Sequence, residues 1–266
     1  MTLMGRLGFD HGDIRLLFNI WRMNLADKYL GSALGGVWAF LNPLVMLALF
    51  TFVFGYVYQA RLPGAESTLS YAIWLICGYG PWLATTEALT AAAQSIIGNS
   101  GLVKNVAFKT EVLPFAATLL GLVPLFVSLA FLLLLQLLNG DSWSWNLLWL
   151  PVIIVIHFLL LAAIGLMLAA VTTFVRDFGI VLPNLLLILL FATPIFYSID
   201  AIPRIFAAVS QFNPIYLITD MYRAVFLRHQ GPNLIGLLAL GLTSFGVLFF
   251  NLTVFRRVKG FFPSVI

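Results

Sequence analysis

VLPFAATLLGLVPLFVSLAFLLLLQLLNG, residues 112–140, holds 29 consecutive residues without a single Asp, Glu, Lys or Arg. A bilayer core about 30 Å thick needs about 20 apolar residues of helix, so this stretch alone is long enough to cross one. Five other charge-free intervals have comparable length: 29–60, 67–86, 142–175, 178–199 and 229–255. Trimmed at Gly, Pro and polar clusters, the six predict transmembrane helices near 37–58, 70–92, 112–137, 147–172, 179–198 and 232–254. Composition agrees, with 62% hydrophobic and only 9% charged residues and a mean hydropathy of +1.03. A soluble domain carries about 25% charged residues and could not hide so much apolar surface.

Composition also excludes several functions. The formal charge of +4 would suit nucleic acid, but the Lys and Arg residues form no basic stripe with interleaved aromatics. Cys77 is the single cysteine, so there is no disulfide framework or Cys/His metal pattern. His11, His157 and His229 are scattered, and no HExxH, GxSxG or paired intramembrane carboxylates occur, so no catalytic residues are assigned. The opening MTLMGRLGFDHGD lacks the apolar core and cleavage site of a secretory signal, and the mature chain is expected to start at Met1.

Orientation follows from the cations between spans. Six spans place both termini on one side, together with Arg6, Arg15, Arg22, Lys28, Lys104, Lys109, Arg176, Arg256, Arg257 and Lys259. Only Arg61, Arg204, Arg223 and Arg228 fall on the other. The termini are therefore expected in the cytoplasm, with Trp143, Trp145 and Trp149 at the outer interface. A seventh interval, 205–219, has 15 residues, about 22 Å of helix, and includes Ser210, Gln211, Asn213 and Pro214. It is too short to span, and 200–228 reads either as short helices that re-enter or lie on the membrane, or as an ordinary loop. One membrane domain, 1–266, is expected: an interfacial segment 1–36, the bundle 37–254 and a tail 255–266.

Four segments could carry mechanism. DIRLLFNIWRMNLADKYL, 13–30, puts Ile14, Leu17, Phe18, Trp21 and Leu25 on one helical face, as an interfacial amphipathic helix would. It either rests on lipid alone or forms a gate or docking surface around Trp21, Arg22, Lys28 and Tyr29. QSIIGNSGLVKNVAFKTE, 94–111, is a polar loop whose short helix could project into another protein, although it lacks a phosphate-binding pattern of spaced glycines followed by Lys and Ser or Thr. Arg176 and Asp177, adjacent between the fourth and fifth spans, could tie two helix ends to the inner boundary. Glu87 is the one acid plausibly at membrane depth, either snorkelled or paired with an arginine, or else a proton site. Aromatic density is highest in spans one and five: Trp38, Asn42, Val45, Leu49, Phe52 and Tyr56 share one face by spacings of 4, 3, 4, 3 and 4, and Phe191, Phe196 and Tyr197 surround Thr193 and Pro194. Such faces either stack sugar rings or pack against helices and lipid.

Taken in order, four stretches resemble the membrane subunit of type-2 ABC exporters, in the branch that moves O-antigen, capsule or teichoic acid chains. They are YLGSALGGVWAFLNPL at 29–44, NSGLVKNVAFKTEVLP at 99–114, FVRDFGIVLPNLLLILLFATPIFYSIDAI at 174–202 and NPIYLITDMYR at 213–223. The second departs from the family at Lys109, where Pro often follows the Phe. The resemblance implies an all-α fold of six transmembrane helices, an N-terminal interfacial helix and short re-entrant helices between spans five and six. It implies a homodimer in a bacterial inner membrane, two copies of a P-loop ATPase that bind the ATP and Mg, and a lipid-linked polysaccharide as cargo, with no cofactor in this chain. It assigns Asn99, Ser100, Leu102, Val103, Lys104, Asn105, Phe108 and Lys109 to the ATPase-coupling loop, and Trp38, Asn42, Phe52, Tyr56, Phe191, Phe196 and Tyr197 to the polymer's path. Export of another lipid or drug is the alternative within that class. An ion-coupled transporter is a further rival, disfavoured because Glu87 is the one candidate acid and no internal repeat is seen.

Overall fold

The protein, seen in a computed structural model that describes residues 8–29, 34–57, 68–140 and 144–266, is all helical there, with no strand among the described residues. Arg6, Arg61 and Trp143, and part of the 29–44 stretch, lie outside the described residues. Helix α1 is His11–Tyr29, and α2 is Val37–Phe50, whose last turns widen into a π-helix over Thr51–Val57. Then come α3 (Thr68–Gly98), the short α4 (Ser100–Asn105), α5 (Val112–Asn139) and α6 (Trp145–Phe174). Helices α7 (Asp177–Ala192), α8 (Arg204–Ser210), α9 (Pro214–Phe226) and α10 (Leu234–Val258) complete the order, and the chain stays helical to Val265.

Among the described residues, four helices are long and apolar enough to cross a membrane: Val37–Val57, Val112–Asn139, Trp145–Phe174 and Leu234–Val265. Helix α3 is longer than any bilayer needs, at 31 residues, but carries Tyr, Thr, Gly and Glu87 along its length. Helix α7 has 16 residues, about 24 Å.

Helix α3 occupies the centre because its surface is small. Gly80, Ala84, Ala88 and Ala92 recur every fourth residue and form a stripe on which neighbours approach closely. A Cβ on Gly121 of α5 would lie 2.5 Å from the Ala84 carbonyl oxygen, and one on Gly165 of α6 would lie 2.9 Å from Ala92 Cβ. Around that stripe Leu75, Ile76, Leu125, Leu161, Tyr222 and Phe226 form the larger core. A smaller core at one end joins Ile20, Val103, Val112, Leu166, Phe255 and Phe262. Gly121→Val should therefore lower the melting temperature of the detergent-purified protein by several degrees, from overpacking that costs about 2 kcal/mol. Gly246→Val, where nothing lies within 4 Å of an added Cβ, should leave the melt unchanged.

Two expectations need correction. The fifth span was expected over 179–198, but α7 stops at Ala192. Pro194 disfavours the α region for Thr193, which lies at φ −95°, ψ 134°, and the chain then runs irregularly through 193–198. The loop reading of 200–228 also fails: α9 is a 13-residue helix with Ile215, Ile218, Met221, Tyr222 and Val225 buried in the main core. The C-terminal residues are helical to Val265, with Phe262 fully buried against Phe255 and Phe174.

Candidate functional site

The end of the bundle that carries α1 gathers the chain's polar machinery. Helix α1 packs on the start of α5, so the reading in which it rests on lipid alone is wrong. Ile20 is its buried anchor, with Leu16, Leu17 and Trp21 packed beside it, while Phe18, expected on the apolar face, is half exposed. The 14, 17, 18, 21, 25 spacing and the 16, 20 spacing describe adjacent stripes, and packing on α5 selects the second.

Four ion pairs on three acids lock this end together. Lys109 reaches back to α1, where its Nζ meets Asp13 Oδ2 and donates to the Gly8 carbonyl at 2.8 Å. Burial raises the Asp13 carboxyl, but the Lys109 hydrogen bond and the Asp10 amide outweigh it and leave its pKa below 3.8. The same bond raises the Lys109 ammonium above its ordinary value. Lys28, at the other end of α1, pairs with Glu87 of α3 at 2.5 Å. The acid expected at membrane depth is thus paired, but with a lysine of α1 rather than with an arginine.

Glu111 is the most enclosed acid, with its side chain 1% exposed. It sits just before α5 and accepts from Arg256 Nε at 2.9 Å and from Lys259 Nζ at 3.0 Å. Burial raises its carboxyl, and its own backbone amide, Arg256 and Lys259 together pull it below 4.5. The stabilisation from this depressed pKa is fully present above pH 4.5 and is lost as pH falls through the lower folded value. Melts of the wild type should therefore drop steeply below pH 4.5. Glu111→Gln should start lower at pH 7, by on the order of 2 kcal/mol, and show a flatter acid limb. Sequence reading missed this node because its partners lie 145 and 148 residues away; the signal was an acid at the mouth of a span with two cations one helical turn apart in the tail.

Of the loop expected over 94–111, the first five residues continue α3 and only the rest leaves it. Its helix covers Ser100–Asn105, and the chain from Val106 to Lys109 is not helical. Val103 is buried in the smaller core and Phe262–Val265 packs against α4. Leu102 and Phe108 line a small apolar groove of about 250 Å³ with Leu16, Ile20 and Met23. Lys104, Asn105 and Val106 point outward, exposed. Asn99 turns inward, its Nδ2 donating to the Ser95 carbonyl at 2.8 Å, and Ser100 is half-buried. Arg176 and Asp177 form no ion pair with each other; Arg176 donates to the Val265 carbonyl at 3.2 Å, and Asp177 opens α7, where its charge complements the helix dipole.

At the opposite end, α9 is held by a group that sequence reading treated only as an outer-side cation. Arg223 is 7% exposed. Its Nη1 donates to the Pro194 carbonyl at 2.8 Å and its Nη2 to the Ile195 carbonyl at 2.9 Å, while the guanidinium lies 3.8 Å above the Trp74 ring. It thereby satisfies the backbone that Pro194 releases at the end of α7. Asn213 adds a bond to Thr193 Oγ1 at 2.8 Å, and Gln136 donates to the Phe226 carbonyl at 2.7 Å.

A family model described as ABC-2 type transporter matches residues 15–227. The chain belongs to that family. Among its curated relatives, an O-antigen export system permease protein RfbA of Myxococcus xanthus is 27% identical over 94% of this chain and 95% of its own. Another RfbA, from Klebsiella pneumoniae, is 25% identical over 94% and 95%. The polysialic acid transport protein KpsM of Escherichia coli is 24% identical over 95% and 96%.

In this ABC-2 protein the aromatic stripe of α2 faces away from its own bundle. Trp38, Asn42, Phe52 and Tyr56 are all exposed, with Tyr56 at 69%, while Ala39, Pro43 and Leu47 turn inward. Phe52 and Tyr56 stack with centroids 5.7 Å apart. Phe191 is half exposed, and the Tyr197 hydroxyl donates to its carbonyl at 2.8 Å. Phe196 does not share that surface: it is 5% exposed and packed between Phe50, Tyr79 and Phe191. Its place in a surface-lining set is therefore corrected, since Arg223 pulls 194–195 inward and carries Phe196 into the core.

Proposed function

We propose that this integral membrane protein is the conduit subunit of an ATP-driven exporter that moves a lipid-linked cell-surface polysaccharide from the cytoplasm across the inner membrane. The observation that carries the reading is the end-to-end match, over 94% or more of both chains, to permeases named for O-antigen export. Helices α2, α3, α5, α6, α7 and α10 are the six spans, with α8 and α9 re-entrant between the fifth and sixth. The short length of α9 together with its burial supports that assignment, since 13 residues make about 20 Å of helix. The cation-rich end that carries α1, α4 and the C-terminal residues faces the cytoplasm.

Two copies of the chain enclose the path, with the exposed aromatic stripe of α2 and Phe191 turned toward the polymer. Weak stacking on many rings holds a sugar chain without one deep trap. A separate ATPase subunit, carrying ATP and Mg, seats on each copy at α4. The exposed Lys104, Asn105 and Val106 make the contact. Lys109, which departs from the family pattern, braces the loop onto α1 through Asp13, and Arg256 and Lys259 brace the start of α5 through Glu111. A push on α4 then reaches α1, α5 and α10 together.

Deleting the gene for this chain in its own host should remove the polymer from the cell surface while lipid-linked chains accumulate inside. Restoration should need both this subunit and its ATPase. Surface polymer at normal levels in the deletion strain would refute the assignment.

A further inference from the structure

Between α1, α2 and the middle of α5 runs an apolar groove of about 710 Å³. Leu122, Phe126, Ala130 and Leu134 form one wall at every fourth residue of α5, Phe40 and Leu44 form the facing wall, and Trp21 closes one end. The rise along α5 from Leu122 to Leu134 is about 18 Å. That is close to the depth of one leaflet, half of a hydrocarbon core about 30 Å thick.

The chemistry changes at the α1 end. Trp21, half-buried, lines the groove there, and an indole sits well where headgroup meets hydrocarbon. Arg22 follows directly, exposed, with no ion pair among the described residues. Arg15 lies seven residues earlier on the same helical face, exposed as well. An occupant must therefore be hydrocarbon along the groove and anionic at its α1 end. A sugar polymer fits poorly, because the remaining lining offers it no hydrogen bonds.

We infer that the groove holds one acyl chain of an anionic phospholipid from the leaflet on which α1 lies, with the headgroup charge against Arg22. The lipid wedges α1 against α2 and α5. This site is separate from the exposed aromatic face of α2 and does not depend on what the protein exports.

The test uses the purified full-length chain in neutral detergent, titrated with palmitoyl-oleoyl phosphatidylglycerol or palmitoyl-oleoyl phosphatidylcholine, read by native mass spectrometry and thermal melts. One phosphatidylglycerol should be retained per chain, at least tenfold more tightly than phosphatidylcholine, with a rise in melting temperature. Ala130→Phe, at an exposed position on the groove wall, should abolish retention and leave the lipid-free melt unchanged. Arg22→Gln should weaken it several-fold and reduce the preference over phosphatidylcholine. Retention unaltered by Ala130→Phe, or equal binding of the two lipids, would overturn the inference. So would efficient disulfide cross-linking between two Leu134→Cys chains in the membrane, which would make the groove an interface between copies.

Discussion

Arg223→Met should lower the melting temperature of the purified protein by about 10 °C and reduce the folded yield. The guanidinium donates to two carbonyls, of Pro194 and Ile195, and lies over Trp74. Methionine keeps much of the volume but leaves both carbonyls buried without donors, at about 1–3 kcal/mol each, and removes a desolvated cation–π contact of about 2 kcal/mol. A total near 4 kcal/mol corresponds to a shift of that size for a chain this long. Arg223→Lys should recover only part of it, because one ammonium cannot reproduce the fork that bonds two successive carbonyls. Gly78→Ala should act in the same direction, since its Cβ would come within 2.9 Å of Arg223 Nη2 and push the guanidinium off its acceptors. An Arg223→Met protein that melts like the wild type would show that the α7 break is held by something else.

The second large effect belongs to α4. Lys104→Glu combined with Val106→Asp reverses a charge and removes an apolar contact at exposed positions whose side chains make no hydrogen bond or ion pair within the described residues. ATP-dependent export should fall at least tenfold while the melt stays within a degree of the wild type. Val103→Asp is the contrasting variant: Val103 is 7% exposed in the smaller core, so a carboxylate there should destabilise the whole α1 end. Asn99→Ala should behave as a local helix-end change only, because its amide bonds Ser95 of its own chain. Full export by the double variant would move the ATPase contact away from α4.

The long spans were legible because charge-free length is decided by the bilayer, and α5 runs over Val112–Asn139 where 112–137 was expected. The end of α7 was misjudged for a local reason, the effect of Pro194 on Thr193, which charge-free length does not register. The burial of α9 was not legible because its Asp220 and Arg223, with Arg228 just beyond its end, read as surface residues. In the structure Arg228 neutralises Asp220 at 2.8 Å and Arg223 turns into the core. The exposed Trp38, Phe52 and Tyr56 face of α2 followed from spacing alone, whereas Phe196 did not, since its burial depends on a residue 27 positions later. The bracing of the loop after α4 was legible only as an anomaly: Lys109 looked like a departure from a pattern, and its meaning came with Asp13 brought beside it.

The most direct test is transport in sealed proteoliposomes loaded with a lipid-linked polysaccharide on the outer leaflet. With this chain and its ATPase reconstituted and ATP supplied outside, the glycan should become inaccessible to an added glycosidase. With this chain alone and a proton gradient of either sign, it should remain fully digestible. Protection driven by the gradient in vesicles without any ATPase would contradict the account of a conduit powered through α4.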